Sequence, residues 1–132
     1  MVEFSLVMPI LFLTMTGMLS FGMTMHDYLV LTNGVNSGAQ VLAMSRGQTS
    51  DPCATASAAV QSAAPSLTTT KLTYSFVING TSYSGTSCTS GAANMVQGAT
   101  AQVTASYPCV LAVYGMGIPS CGLKTLTSEL IQ

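Results

Sequence analysis

Charged residues are scarce in this sequence: they make up 5% of its 132 residues, against roughly 25% in typical soluble proteins. Three Lys/Arg and four Asp/Glu give a net charge of −1. Because no basic surface is available to hold a phosphate backbone, nucleic-acid binding is excluded. A surface whose polarity comes mainly from uncharged side chains resists self-association weakly, which favours a function in assembly.

Groups that carry acid–base or metal chemistry are also few. The chain has one histidine, His26, and its acidic residues are far apart in sequence. His26 and Asp27 adjoin an apolar run and are interpreted as marking a water interface rather than a metal site. We therefore expect no enzymatic activity, no catalytic residue, no cofactor and no metal. An enzymatic function would be reconsidered only if the fold brought together the residues that could act as acid, base or metal ligand. These are Asp27, Asp51, Glu129 and His26.

A long uncharged run lies between Glu3 and His26. Its 22 residues are mostly Leu, Met, Phe, Val and Ile. As a helix it would be about 33 Å long at ~1.5 Å per residue, which is enough to cross a hydrocarbon core of ~30 Å. The run is too long for a typical signal peptide, has no basic residues before it and is not followed by a small-x-small cleavage site. The sequence therefore predicts a retained transmembrane helix.

All four cysteines follow this run, at positions 53, 88, 109 and 121. Their spacing matches neither a CxxC zinc pattern nor a CxxCH haem site, and their even number favours two disulfides in an oxidising compartment. This places the later part of the chain outside the cytoplasm. Of the three possible pairings we favour Cys53 with Cys88 and Cys109 with Cys121. With an N-terminus in the cytoplasm and no basic residue there, we expect that a basic leader is removed from a longer precursor.

The helical pattern continues beyond the apolar run. One face of it repeats with the 3.6-residue period of a buried helix side, and its members are Tyr28, Leu31, Val35, Ala39 and Leu42. The pattern predicts a single helix from about Val2 to Met44. At ~1.5 Å per residue its length is about 65 Å, more than the rest of the chain can cover, so part of it must project.

Two features of this helix point to contacts. Apolar residues and a glycine recur at spacings of four and three, as in a heptad seam that other helices could occupy; the seam consists of Phe4, Met8, Leu11, Met15, Met18, Gly22 and Met25. Lipid-facing apolar filler is an equal alternative for the same residues. Gly34 and Gly38 are expected to allow close approach of a sheet or a neighbouring helix, and a local kink is expected at Pro9.

The rest of the sequence predicts a small α+β head. Asp51-Pro52 supplies an N-cap and an N1 proline for a short helix over 52–64. The period then changes to two, and strands are predicted over 72–78, 81–87, 101–107, with a possible continuation at 110–114, and 123–131. Asn79-Gly80 is interpreted as a type I′ turn, although Asn79-Gly80-Thr81 also fits an N-glycosylation pattern. The expected fold is a disulfide-linked antiparallel sheet covered by the second half of the long helix.

Four segments together resemble a known family: MVEFSLVMPILFL at the start, LTNGVNSGAQVLAMSRG, VTASYP and LKTLTSEL. They are similar to the TadE-like pilins and pseudopilins of the tight-adherence branch of type IV pilus systems. The resemblance implies a precursor cut by a prepilin peptidase, a subunit held in the inner membrane by its helix, and extraction into a filament by the pilus assembly machinery. In this family the acidic residue is expected at the fifth position of the mature chain, followed by an aromatic residue. Here the acidic residue, Glu3, is at the third position of the sequence and is followed by Phe4.

These observations lead to one functional hypothesis. Residues 1–26 are expected to form a membrane-anchor and filament-core helix, and residues 27–132 an extracytoplasmic head. Glu3 is expected to pair with a free α-amine of an adjacent subunit, and Pro9 and the seam residues to complete the assembly surface of a homo-oligomeric extracellular pilus. Two alternatives remain: a minor pseudopilin that primes or caps a filament, and a single-pass anchored binding domain that never polymerises.

Overall fold

A computed structural model describes residues 2–109, 112–113, 116–117 and 121–132, of which residues 2–3, 5–6, 112–113 and 116–117 are described as backbone only. In these ranges, the chain folds as one long helix with an α+β head on its second half. The predicted α+β class, with a long apolar N-terminal helix on a small antiparallel sheet, is confirmed.

Helix α1 spans Val2–Met44 and runs through Pro9 without a break. Its second half is buried against the head along the predicted face, where Leu31, Val35 and Leu42 are fully covered. Tyr28 was expected on the same face, but it is 39% exposed. That prediction is wrong, because the described part of the head covers α1 only from about Leu31 onward.

Helix α2, Pro52–Ala63, packs directly on α1. The close approach depends on Gly34 and Gly38. A Cβ at Gly34 would lie 3.1 Å from the Val60 carbonyl oxygen, and a Cβ at Gly38 would overlap the Val60 side chain and lie 3.1 Å from the Ala56 carbonyl oxygen. Because only hydrogen atoms stand at these two positions, the two helices reach van der Waals contact along their backbones. The expected neighbour-helix contact at the two glycines is confirmed.

The head contains a four-stranded antiparallel sheet built from β1 (Thr73–Ile78), β2 (Thr81–Ser84), β3 (Thr100–Pro108) and β6 (Gly122–Leu130). Their order in the sheet is β2-β1-β3-β6. Two short strands, β4 (Ala112–Val113) and β5 (Met116–Gly117), pair with each other. The predicted strand over 110–114 falls on β4, and its remaining positions lie outside the described residues.

The β1–β2 turn has the predicted geometry. Asn79 has φ 49° and Gly80 has φ 78°, both left-handed, as a type I′ turn requires. The turn fixes the register in which Ile78 lies opposite Thr81. With this register, the alternating apolar residues of β1 all point to one side.

The core lies between the inner face of the sheet and the two helices. Tyr74, Phe76 and Ile78 of β1 are buried there, opposite Ala105, Val103 and Ala101 of β3. The register places these pairs side by side on the same face, where they pack on α1 and α2. The outer face of the sheet carries mainly Ser and Thr, so the sheet is covered on one side only.

Both favoured disulfides are present. Cys53 is bonded to Cys88, with their Cα atoms 5.4 Å apart, and Cys109 to Cys121, with their Cα atoms 5.3 Å apart. The second strand, predicted over 81–87, ends at Ser84, so Cys88 lies beyond it. Cys88 stands at the N-cap position of a 3-10 helix, Thr89–Asn94, that the alternating pattern does not predict.

Candidate functional site: the exposed apolar helix

The first half of α1 is apolar and uncovered. We call residues 4–29 the projecting segment. Its large apolar side chains are exposed, with Met18 75% and Phe4 70% accessible. The exposed set comprises Phe4, Val7, Met8, Ile10, Leu11, Phe12, Leu13, Met15, Met18, Leu19, Phe21, Met23, Met25, Tyr28 and Leu29.

These side chains surround the helix on all sides. A helix that is apolar all round is typical of a membrane span or of the interior of a large assembly, not of the surface of a water-soluble domain. In the part of the chain that the structure describes, one helix, over Val7–Met44, is long and apolar enough to cross a membrane, and none of its most apolar window is buried. The segment therefore needs an apolar environment that the described part of the head does not supply to its exposed side chains.

Threonine hydroxyls in the projecting segment are already satisfied. Thr14, Thr16 and Thr24 each donate a 2.9 Å hydrogen bond to a backbone carbonyl three or four residues earlier in the helix. A hydroxyl bonded within its own helix does not need water, so it can enter lipid or a packed bundle at reduced cost. These three threonines are thus compatible with complete removal from water.

The predicted seam lies on the helix side away from the head. At about 100° per residue, its members share an arc of about 100°, while Leu31 and Val35, which anchor the head, are on the opposite side. All the described seam side chains are exposed, and so is Pro9, which lies off this arc. Glu3 is helical at the backbone, and its side chain is outside the described residues. The assembly role of this set stays a prediction.

The polar boundary of the segment lies at His26 and Asp27. They line a shallow groove on the side of the helix, where Gly22 leaves open space. The groove is otherwise formed by Met18, Leu19 and Met23. A groove along a single helix can accept a side chain from another helix, but it does not enclose a small molecule.

The four residues that the sequence offers as candidates for chemistry lie on different elements. His26 and Asp27 are neighbours on α1 near the end of the projecting segment, Asp51 caps α2 and Glu129 lies on β6. Within the described ranges, the group of potential metal ligands is Asp51 with Cys53 and Cys88, whose sulfurs are bonded to each other. Of His26, Asp27, Asp51 and Glu129, only Asp51 belongs to this group.

Asp51 organises the junction between α2 and the loop that carries Cys88. Its Oδ1 accepts hydrogen bonds from the backbone N–H of Ala54 at 3.1 Å and of Cys88 at 2.8 Å. Its Oδ2 accepts a bond from the Ser87 hydroxyl. Burial alone would raise the pKa of Asp51, but the hydrogen bonds from Ser87, Cys88, Ala54 and Cys53 outweigh this effect and lower it. The sequence predicts Asp51 as the N-cap of α2, but it does not predict the hydrogen bonds from Ser87 and Cys88.

We expect Asp51→Ala to lower the free energy of unfolding by about 1 to 2 kcal/mol, because a cap and a loop attachment are lost together. Asp51→Asn retains the cap acceptor and should cost less. Since the folded pKa of Asp51 is depressed, its stabilisation is present above the unfolded pKa of about 3.9 and is lost as the pH falls through the folded value. Urea unfolding at neutral and acidic pH measures both effects.

The matched control is Ser50→Ala at the exposed neighbouring residue, which should change stability by less than about 0.5 kcal/mol. An Asp51→Ala protein as stable as the parent at neutral pH would contradict the role of this carboxylate.

A second titratable group is buried in the core. Burial raises the pKa of the Tyr74 hydroxyl, and an interaction with the Gln61 side chain on α2 opposes the shift. The neutral phenol is therefore the stable form across the physiological range. Tyr74 serves as a packing residue of the sheet rather than as an acid or base.

A family model described as TadE-like protein matches residues 1–40. Comparisons with curated proteins and with solved structures found no match. The matched residues include the whole projecting segment and most of the α1 surface that packs on the head. The resemblance is confirmed: over residues 1–40 this chain is similar to the TadE-like proteins, a pilus-associated, structural family with an N-terminal apolar helix.

Proposed function

We propose that this chain is a structural pilin subunit. Its projecting segment anchors it in the inner membrane before assembly and then packs with the same segment of other copies in an extracellular filament. The observation that carries the proposal is the exposure of the large apolar side chains of a helical segment about 39 Å long, at ~1.5 Å per residue, beside a folded head. Uncovered apolar area costs roughly 25 cal/mol per Å² in water, so this segment requires lipid or other helices.

The arrangement of faces on α1 supports packing between copies. The head covers one side of the helix, and the predicted seam lies on the other. Copies that meet through the seam would therefore place their heads outward without steric conflict. The weak charge of the heads allows neighbouring heads to touch with little repulsion.

The resemblance supports the remaining parts of the proposal. A prepilin peptidase would process the precursor, and the pilus assembly machinery would extract the subunit from the inner membrane. In the filament, Glu3 would pair with the α-amine of a neighbouring subunit, and Met8, Met15 and Met18 would fill the contact between helices. Flexible methionine side chains suit such a contact because they adapt to irregular gaps.

Electron microscopy of sheared extracellular material, combined with intact-mass analysis, tests the proposal. We expect filaments in which this chain is the main component, with a mass that fixes its first residue relative to Glu3. Recovery at low stoichiometry within filaments of another protein would overturn the main-subunit role in favour of a priming or capping pseudopilin. Recovery only as a membrane-bound monomer would overturn polymerisation in favour of an anchored binding domain.

A further inference from the structure

The end of the head that adjoins the projecting segment can be identified from contacts between α1 and β6. The Thr127 hydroxyl donates a hydrogen bond to the Asn36 side chain, and the backbone N–H of Gln132 donates to the Ala43 carbonyl. Strand β6 therefore runs in the same direction as α1. Its first residues lie next to the part of α1 where the projecting segment begins, and we call this end of the head its base.

Two of the three basic residues of the chain lie at the base. The strand register places Thr73, Ser106 and Lys124 in one row across β1, β3 and β6. Lys71 precedes this row by two residues, at the end of the 3-10 helix that leads into β1. Both lysines are exposed, and neither has an ion-pair partner among the described residues. Their ammonium groups are available to an external anion.

The opposite end of the head carries more negative than positive charge. Arg46 follows the end of α1 there, together with Asp51 at the start of α2 and Glu129 near the end of β6. The base has one acidic residue among those described, Asp27 on α1, which follows the uncharged run and lies beside His26. The segment between Cys109 and Cys121 contains no charged residue in its sequence. The base is thus the more positive end of a nearly neutral head.

The lysines stand close to the predicted membrane surface. Lys124 precedes Thr127 by three residues, which places it roughly level with residue 32 of α1, and the uncharged run ends at Met25. Six to seven helical residues correspond to about 10 Å along the axis. This is comparable to the Debye length of about 8 Å at physiological ionic strength, and an extended lysine side chain shortens the gap further.

From this geometry we propose that Lys71 and Lys124 bind anionic lipid headgroups on the outer face of the inner membrane while the projecting segment is inserted. This inference rests on the proposed membrane anchoring and adds a second contact, between the base of the head and the bilayer. The two lysines hold the head against the surface and limit its tilt before the helix is extracted. The occupant is an anionic bilayer because the lysines lie about 10 Å along the axis from the end of the membrane-spanning run and their positive charge is complementary to anionic headgroups.

Hydrogen exchange of the full chain in vesicles tests the inference. The protein is reconstituted into phosphatidylcholine vesicles with and without phosphatidylglycerol, and amide exchange is followed by mass spectrometry over residues 68–73 and 122–125. We expect slower exchange in the anionic vesicles, by up to about fivefold for each lysine at low salt. The difference should disappear in Lys71→Gln/Lys124→Gln and at high salt, and it should persist in Arg46→Gln, which changes a charge at the far end.

Equal exchange in both lipids, or an unchanged difference in the double variant, would overturn the inference. Flotation of the vesicles separates this result from failure of the anchoring itself. If the chain floats with both kinds of vesicle but shows no lipid-dependent protection, only the lysine contact is wrong. If the chain does not float with either, the proposed anchoring and the lysine contact are both wrong.

Discussion

Replacing Glu3 with alanine is expected to abolish filaments while leaving the subunit in the membrane. In a packed helix bundle, an unpaired charge is costly; the insertion scale gives about 3 kcal/mol for an acidic residue at a helix centre, and a lone α-amine faces a cost of similar order. The proposed pair removes both costs at once and fixes the axial offset between neighbouring subunits. Without the carboxylate, each added subunit would bury an uncompensated amine.

The measurement is a count of filaments by electron microscopy alongside membrane fractionation of the same cells. Glu129→Ala is the control, because it removes an acidic residue of the head at a distance from the projecting segment. Normal filaments from the Glu3→Ala strain would disprove the pairing. Loss of the protein from the membrane fraction would show that Glu3 acts in insertion instead.

Gly38→Ala is expected to destabilise the head by about 2 to 3 kcal/mol, in the upper part of the range for overpacked cores. The added methyl group would overlap the Val60 side chain and press on the Ala56 carbonyl oxygen. Val60 is β-branched and helical, so it has few rotamers in which to make room. The α1–α2 contact must open, and the core beneath it loses packing.

Thermal or urea unfolding, followed by circular dichroism, measures this loss. Gly22→Ala is a matched control on the same helix, since a Cβ there meets nothing within 4 Å, and the change should favour the helix by about 0.5 to 1 kcal/mol. The double variant Gly38→Ala/Val60→Ala should recover part of the lost stability. If Gly38→Ala is as stable as the parent, the helices do not approach as closely as described.

Local patterns in the sequence account for most of the fold. The period of 3.6 predicts α1 over the bounds that the structure shows, and Asp51-Pro52 predicts the start of α2. The turn at Asn79-Gly80 is predicted because both residues tolerate left-handed backbone. In each case the determining interactions lie within a few residues of one another, so they can be read from a short stretch of sequence.

The features that the sequence does not predict depend on distant contacts. Asp51 reaches Ser87 and Cys88 only because the disulfide and the sheet bring that loop to the start of α2. Strand β6 is a second example. Its leucines Leu126 and Leu130 are exposed, while Thr125 is buried on the inner face. The apolar pattern alone would favour the opposite face, and the register with β3 decides otherwise.

The candidate site is likewise predictable from the sequence only in part. An uncharged run of this length predicts the projecting segment, and the structure shows that the described part of the head leaves it uncovered. What the segment packs against is set by other molecules, so neither the sequence nor the fold of one copy determines it. The predicted domain boundary at residue 26 and the roles of Glu3 and the seam therefore remain predictions for the assembly experiments.

The one-sided attachment of the head to α1 has a mechanical consequence. In the proposed filament, joined through the projecting segments, tension would pass from helix to helix, and each head would lie beside the line of force. Pulling would then stretch or slide the helical core before it strains the sheet or the disulfides. In the proposed filament, substitutions on the outer surface of the head would accordingly leave the load-bearing contacts between helices unchanged.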